Sequence, residues 1–139
     1  MISLTDYWMG RDESFEHALT ESIRLNARET VHRANALLAV MMADGVALEA
    51  NPRTGSLVNS GWRPPEINAD TPGAAPRSRH MTGQAVDLYD PEGLLDDWCL
   101  DNQDQLDQLG LWLEHPGATR GWCHVQIVPP RSGRRVFYP

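Results

Sequence analysis

Two alternating stretches, Gln84–Asp90 (QAVDLYD) and Trp122–Val128 (WCHVQIV), constrain this chain more than any other feature. Successive side chains of a strand point to opposite sides of a sheet. Val86 and Leu88 therefore share one face of the first stretch, leaving Ala85, Asp87 and Tyr89 on the other. In the second, Cys123, Val125 and Ile127 lie opposite Trp122, His124 and Gln126. LWLE repeats the pattern, with Leu111 and Leu113 on one side and Trp112 and Glu114 on the other. Each strand has an apolar face to bury and a second face carrying Asp87, His124 or Glu114. Groups able to bind a metal thus converge on one side of a small antiparallel sheet.

Helices supply the cover for the apolar face. Ile23, Ala27, Val31, Ala34, Leu38 and Met41 recur at helical spacing, which predicts a helix over Glu21–Ala43, capped by Thr20 and ended by Gly45. A turn or short helix is expected around Tyr7–His17. A second main helix is expected after Asp90, with Asp90 as cap and Pro91 in its first turn. It carries Leu95, Trp98, Cys99, Leu106 and Leu109 inward and stops at Gly110. LVNSGWRPP reads as a short strand running into a turn, and INADTPGAAPRSR as an irregular loop of the kind that is functional or mobile in small domains. The expected class is α+β, a small antiparallel sheet backed by two main helices. With 139 residues and no long linker the chain forms one domain, a helical part over 1–50 and a core over 51–139.

Charge and cysteine usage exclude several kinds of function. Twelve basic against nineteen acidic residues leave a net charge of −7, which argues against a protein that grips nucleic-acid phosphates or an anionic membrane surface. Two cysteines are too few for a disulfide-framed mini-domain or an all-cysteine zinc site. The longest apolar stretch, near Ala34–Ala43, contains Asn35 and is too short to span a bilayer. MISLTDYWMGRDES carries acids where a signal peptide has a basic then apolar run, so the expectation is a soluble chain made in the cytoplasm, a monomer without membrane insertion.

The chemistry concentrates in SRHMTGQAVDL (Ser78–Leu88) and WCHVQ (Trp122–Gln126). His80, Asp87 and His124 supply two imidazoles and one carboxylate, and three such ligands with a fourth position open to water make a catalytic zinc site. Zinc lowers the pKa of bound water and polarises a carbonyl. A His and an Asp seven residues apart are ordinary by themselves. Gly83, which lets the backbone turn between them, and the shared face of Asp87 and His124 give the pair weight.

These segments resemble the M15 family of zinc D-Ala-D-Ala peptidases, whose fold is shared with lysostaphin-type endopeptidases and the hedgehog amino-terminal domain. SRHMTGQAVDL is similar to the family's SxHxxGxAxDL signature, GWRPPEIN to its SGxRxPxxN segment and WCHVQ to its terminal WxH strand. The likeness covers Val58–Val128. It implies a hedgehog/DD-peptidase-like domain with His80, Asp87 and His124 as zinc ligands. Arg63 matches the arginine that binds substrate and steadies the oxyanion, and Ser78 the serine that helps to place substrate. Many members carry an acid three residues before the last histidine as general base, where this chain has Gly121. The nearest upstream acid on the site face is Glu114, placed like the base of a subset of the family. Glu114 is accordingly the expected base, with a plain strand-end acid as the other reading.

Other candidates carry less. His115 points away from a site-facing Glu114 in a regular strand, His17 and His32 fall on helical segments facing solvent, and Cys99 and Cys123 read as buried thiols. Trp62, Trp112 and Trp122 are either groove walls or core, and Arg77, Arg79 and Arg120 form a possible anion-attracting rim. The resemblance implies a zinc-dependent peptidoglycan peptidase cutting an amide of the peptide stem, of the D-Ala-D-Ala carboxypeptidase or endopeptidase type. A phage lysis enzyme, released to the bacterial cell wall and periplasm by a holin, is the setting that suits a chain read as lacking an export signal. An L-Ala–D-Glu endopeptidase and a non-catalytic zinc-binding module are the alternatives.

Overall fold

The computed structural model describes residues 1–139. It is α+β: α1 (Leu4–Trp8), α2 (Arg11–Ser14), α3 (Glu21–Ala43), β1 (Val58–Ser60), α4 (Pro65–Ala69), β2 (Ala85–Asp90), α5 (Leu94–Asp101), α6 (Gln103–Leu109), β3 (Trp112–Glu114), β4 (Gly121–Gln126) and β5 (Val136–Phe137). No helix is long and apolar enough to cross a membrane.

The five strands form one sheet in the order β1-β2-β4-β3-β5. The first four pair antiparallel, but β3 and β5 run parallel, so the sheet is mixed rather than antiparallel as expected. The chain leaves β4, rounds the Pro129–Gly133 turn and returns along the far side of β3 with only two residues, too few for an alternation to be read. Val86, Leu88, Leu113, Cys123 and Val125 are buried on one face, in a cluster of 21 residues shared with α3, α5 and α6.

α3 begins where the Thr20 hydroxyl accepts from the Ile23 amide at 3.2 Å, and it buries Ala27, Val31, Ala34, Leu37, Leu38 and Met41. It also holds the loop that leads into β2. The Thr30 hydroxyl donates to the Gly83 carbonyl at 2.7 Å, and Asn26 donates to the Thr82 carbonyl at 3.0 Å. Gly83 has φ +75°, and a Cβ there would lie 2.9 Å from the Ile23 carbonyl oxygen. Glycine is required by both the turn and the close approach.

The second main helix is two. α5 and α6 are separated at Asn102, whose backbone leaves the helical region (φ −130°, ψ 46°) and whose side chain donates to the Trp98 carbonyl at 2.8 Å. Such local bonding by Asn competes with the helical ladder. Asp90 does serve the start of α5, but from the end of β2: its carboxylate accepts from the amides of Leu95 and Asp96 at 3.1 and 3.0 Å. Pro91 lies in the turn before the helix rather than in it. The region read as an irregular loop after GWRPP contains α4, opened by Pro65. Asn68 in α4 pins the following loop by donating to the Ala75 carbonyl at 3.0 Å.

Candidate metal centre

The β2–β4 register sets Asp87 directly opposite His124. His80 reaches the same point from the loop before β2. Asp87 Oδ1 lies 2.8 Å from His124 Nδ1 and 3.2 Å from His80 Nε2. One ligand atom from each of the three buried residues falls within 4.8 Å of the others. Tetrahedral ligands about 2.0–2.1 Å from one metal stand roughly 3.4 Å apart, so this buried His–Asp–His group fits a metal ion with small adjustments.

Neighbouring bonds decide which ring nitrogens face that point. His80 Nδ1 is 2.8 Å from the Gly61 carbonyl, which can only accept. With the proton on Nδ1, Nε2 is the nitrogen that would ligate a metal beside Asp87. Gln126 Nε2 donates to the Val128 carbonyl at 2.9 Å, which fixes the amide and leaves Gln126 Oε1 3.1 Å from His124 Nε2. Nε2 of His124 donates there and Nδ1 is the nitrogen left for a metal. Such outer partners commonly orient metal-binding histidines.

Burial and charge act in opposite senses on the three groups. Burial opposes ionisation of Asp87, but the two histidines overcome it and hold its carboxyl well below the usual range. Burial lowers the His80 pKa despite Asp87. At His124 burial is outweighed by the bond and charge of Asp87, with Glu114 and Gln126 adding, and the pKa rises.

A cavity of about 320 Å³ opens over this group, and Arg63, Ser78, His80, Asp87, Glu114 and His124 all line it. The six residues singled out in the sequence are thus brought around one space. Burial raises the Glu114 pKa and the Asp87 charge adds to it, against the opposing pull of His124 and Arg63. Arg63 is buried with no partner for its Nε. Ser78 accepts from the His80 amide at 3.3 Å through its hydroxyl, tying the ligand loop together.

The remaining candidates separate. Trp122 lines the cavity, Trp62 is wholly in the core edge-on to Trp8, and Trp112 is covered by the Arg135 guanidinium 4.4 Å from its ring centroid. His115 stacks on Tyr138 and accepts from the Gly117 amide. His17 meets Glu66 at the surface and His32 is exposed. Cys99 and Cys123 are free and buried. Arg77 and Arg79 line a neighbouring cavity, together with Arg131, while Arg120 lies outside both. Gly121 has φ +96°, a conformation that side chains rarely adopt, which suits the lack of an acid there.

Sequence reasoning gave no role to Gly61 or Gln126. Gln126 had a readable signal, since it sits two residues beyond His124 on the same strand face. Gly61 is the glycine of the SGxRxPxxN-like segment, but its carbonyl bond to His80 and its close approach to Tyr7 are visible only in the fold. Compared with protein-family models, with curated proteins and with solved structures, the chain matches none.

Proposed function

We propose that this chain is a zinc metallopeptidase of the M15 type, with a hedgehog/DD-peptidase-like fold, that hydrolyses an amide bond in the peptide stem of bacterial peptidoglycan. The D-Ala-D-Ala bond is the first assignment and the L-Ala–D-Glu bond the second, in the setting of a phage lysis enzyme acting on the cell wall. The observation that carries the reading is the convergence of a His80–Asp87–His124 group, an acid and an arginine on one open cavity. Two imidazole nitrogens and one carboxylate oxygen are the donor set of catalytic zinc, with a position left for water. Zinc held there supplies Lewis acidity and makes water a nucleophile at neutral pH.

The chain's own residues supply the rest. Glu114, with its pKa raised by burial, takes a proton from the attacking water and returns it to the leaving amine. Arg63 donates to the oxygen on which negative charge develops, the kind of interaction that contributes much of the rate gain in acyl transfer. Its side chain lines the same cavity as the three ligands. Ser78, on the cavity wall beside His80, positions the peptide.

The test is digestion of purified peptidoglycan by the zinc-loaded chain, with mass analysis of soluble and residual fragments. The expected products carry a new amine and carboxyl in the peptide stem and an intact glycan, and they are absent with the His80→Ala, His124→Ala double variant. An untouched wall with zinc bound favours the non-catalytic zinc module instead.

A further inference from the structure

A second cavity, of about 260 Å³, adjoins the first and shares Ser78, Glu114 and His124 with it. The second cavity therefore lies beside the metal-binding atoms, as a side arm next to the first. Arg77, Arg79 and Arg131 line this arm. They come from separate places, two beside the first metal ligand and one from the turn after β4, and none makes a side-chain hydrogen bond or an ion pair. Glu114 is the one acidic side chain lining the arm.

This concentration runs against the balance of the molecule. All twelve basic residues are arginines, outnumbered by nineteen acids. Arg33 and Arg135 are neutralised by Glu29 and Asp107, and Arg11 donates to the Trp62 carbonyl. Arg77, Arg79 and Arg131 instead face one ligand-sized space. A guanidinium matches a carboxylate with two parallel hydrogen bonds. A polyanion is repelled by the net field of the chain, whereas one carboxylate within a Debye length of three arginines feels mainly their local attraction.

We propose that this arm is a carboxylate-binding subsite, taking an acidic residue or acidic end of the peptide whose amide lies at the metal centre. The proposal rests on the peptidase reading above and adds substrate selection to it. A peptidoglycan stem offers such a group in two places: the free α-carboxylate of γ-linked D-glutamate and the terminal carboxylate of D-alanine.

The test titrates the zinc-loaded chain with the synthetic stem pentapeptide and with forms amidated at glutamate, at the C-terminus or at both. Calorimetry gives Kd, and mass spectrometry detects any cleavage, in which case KM is compared. Amidation at one of the two positions should weaken binding about ten-fold, a modest sum for three partly solvated charge contacts. The position affected identifies the carboxylate. The same amidation should cost nothing in the Arg77→Gln, Arg79→Gln, Arg131→Gln triple variant, while Arg120→Gln keeps the parent's preference. If the triple variant melts early, the three single variants carry the comparison. Equal affinity for the acid and doubly amidated peptides, no detectable binding of the acid form, or an unchanged preference in the arginine variants overturns the subsite. Charge-selective binding without cleavage leaves the subsite and removes the peptidase reading; cleavage without charge selection does the reverse.

Discussion

The Gly61 carbonyl accepts the Nδ1 proton of His80 at 2.8 Å, and that bond decides which nitrogen of His80 is free for a metal. Gly61 can stand there only because it lacks a side chain: a Cβ would fall 1.9 Å from the Tyr7 carbonyl oxygen. Gly61→Ala must displace either α1 or the carbonyl that orients His80. The expected outcome is zinc affinity lower by about 10–100-fold, the usual cost of losing an outer partner, in a competition titration with a chromophoric chelator. Unchanged affinity would show that His80 is oriented by its own loop.

Gln126 plays the matching part for His124 and allows a cleaner separation of packing from orientation. Gln126→Leu keeps the bulk but leaves the buried Nε2–H of His124 without its acceptor at 3.1 Å. Gln126→Glu keeps an acceptor. Zinc affinity should fall about 10–100-fold in the first and stay within a few-fold in the second. Equal losses in both would indicate a packing role alone.

Glu114 and Arg63 are expected to act on turnover rather than on metal binding. Glu114→Gln retains shape but not the carboxylate base, and kcat on stem peptides should fall by about 10²–10⁴-fold with zinc content unchanged. Arg63→Lys keeps the charge and loses the fork. Its kcat should drop about 10²-fold, the scale for one lost oxyanion donor. Parent-like kcat in either variant removes that residue from the mechanism.

Asp96, on the other side of the sheet, gives a pH dependence that does not involve the metal. It is buried, one of its oxygens has no partner, and burial together with the charges of Asp90 and Asp97 pushes its pKa up to about 7 against the hydrogen bonds of Cys123 and Thr119. The folded chain keeps a proton that an ordinary aspartate, with a pKa of 3.8, releases. Stability from that proton is complete below about pH 4 and is lost as the pH rises through about 7. Asp96→Asn should therefore gain on the parent between those limits, read from urea midpoints at pH 5 and pH 8. Parallel profiles would show that Asp96 ionises normally.

The side of the sheet that carries the site was legible because alternation fixes the facing of Asp87, His124, Gln126 and Glu114 without any knowledge of the partner strands. The antiparallel pairing of β2 with β4 then places Asp87 and His124 opposite each other. His80 was reached from its spacing to Asp87 and the turn at Gly83, whereas Arg63 and Ser78 came through motif likeness alone, since nothing local shows that they fold back onto the same cavity. β5 escaped notice because a two-residue strand has no period. The break at Asn102 was hidden by a leucine spacing that continues across it into Leu106. Arg131 reaches the cavity lined by Arg77 and Arg79 from a turn distant in sequence, which no local pattern records.

One zinc ion is proposed to sit between Nε2 of His80, a carboxylate oxygen of Asp87 and Nδ1 of His124. Anomalous diffraction at the zinc edge, from crystals of the zinc-loaded chain, tests it most directly. The expected result is a single strong peak about 2.0–2.2 Å from those three atoms, facing the cavity that Glu114 and Arg63 line. A peak elsewhere, or ligation through Nε2 of His124, contradicts it.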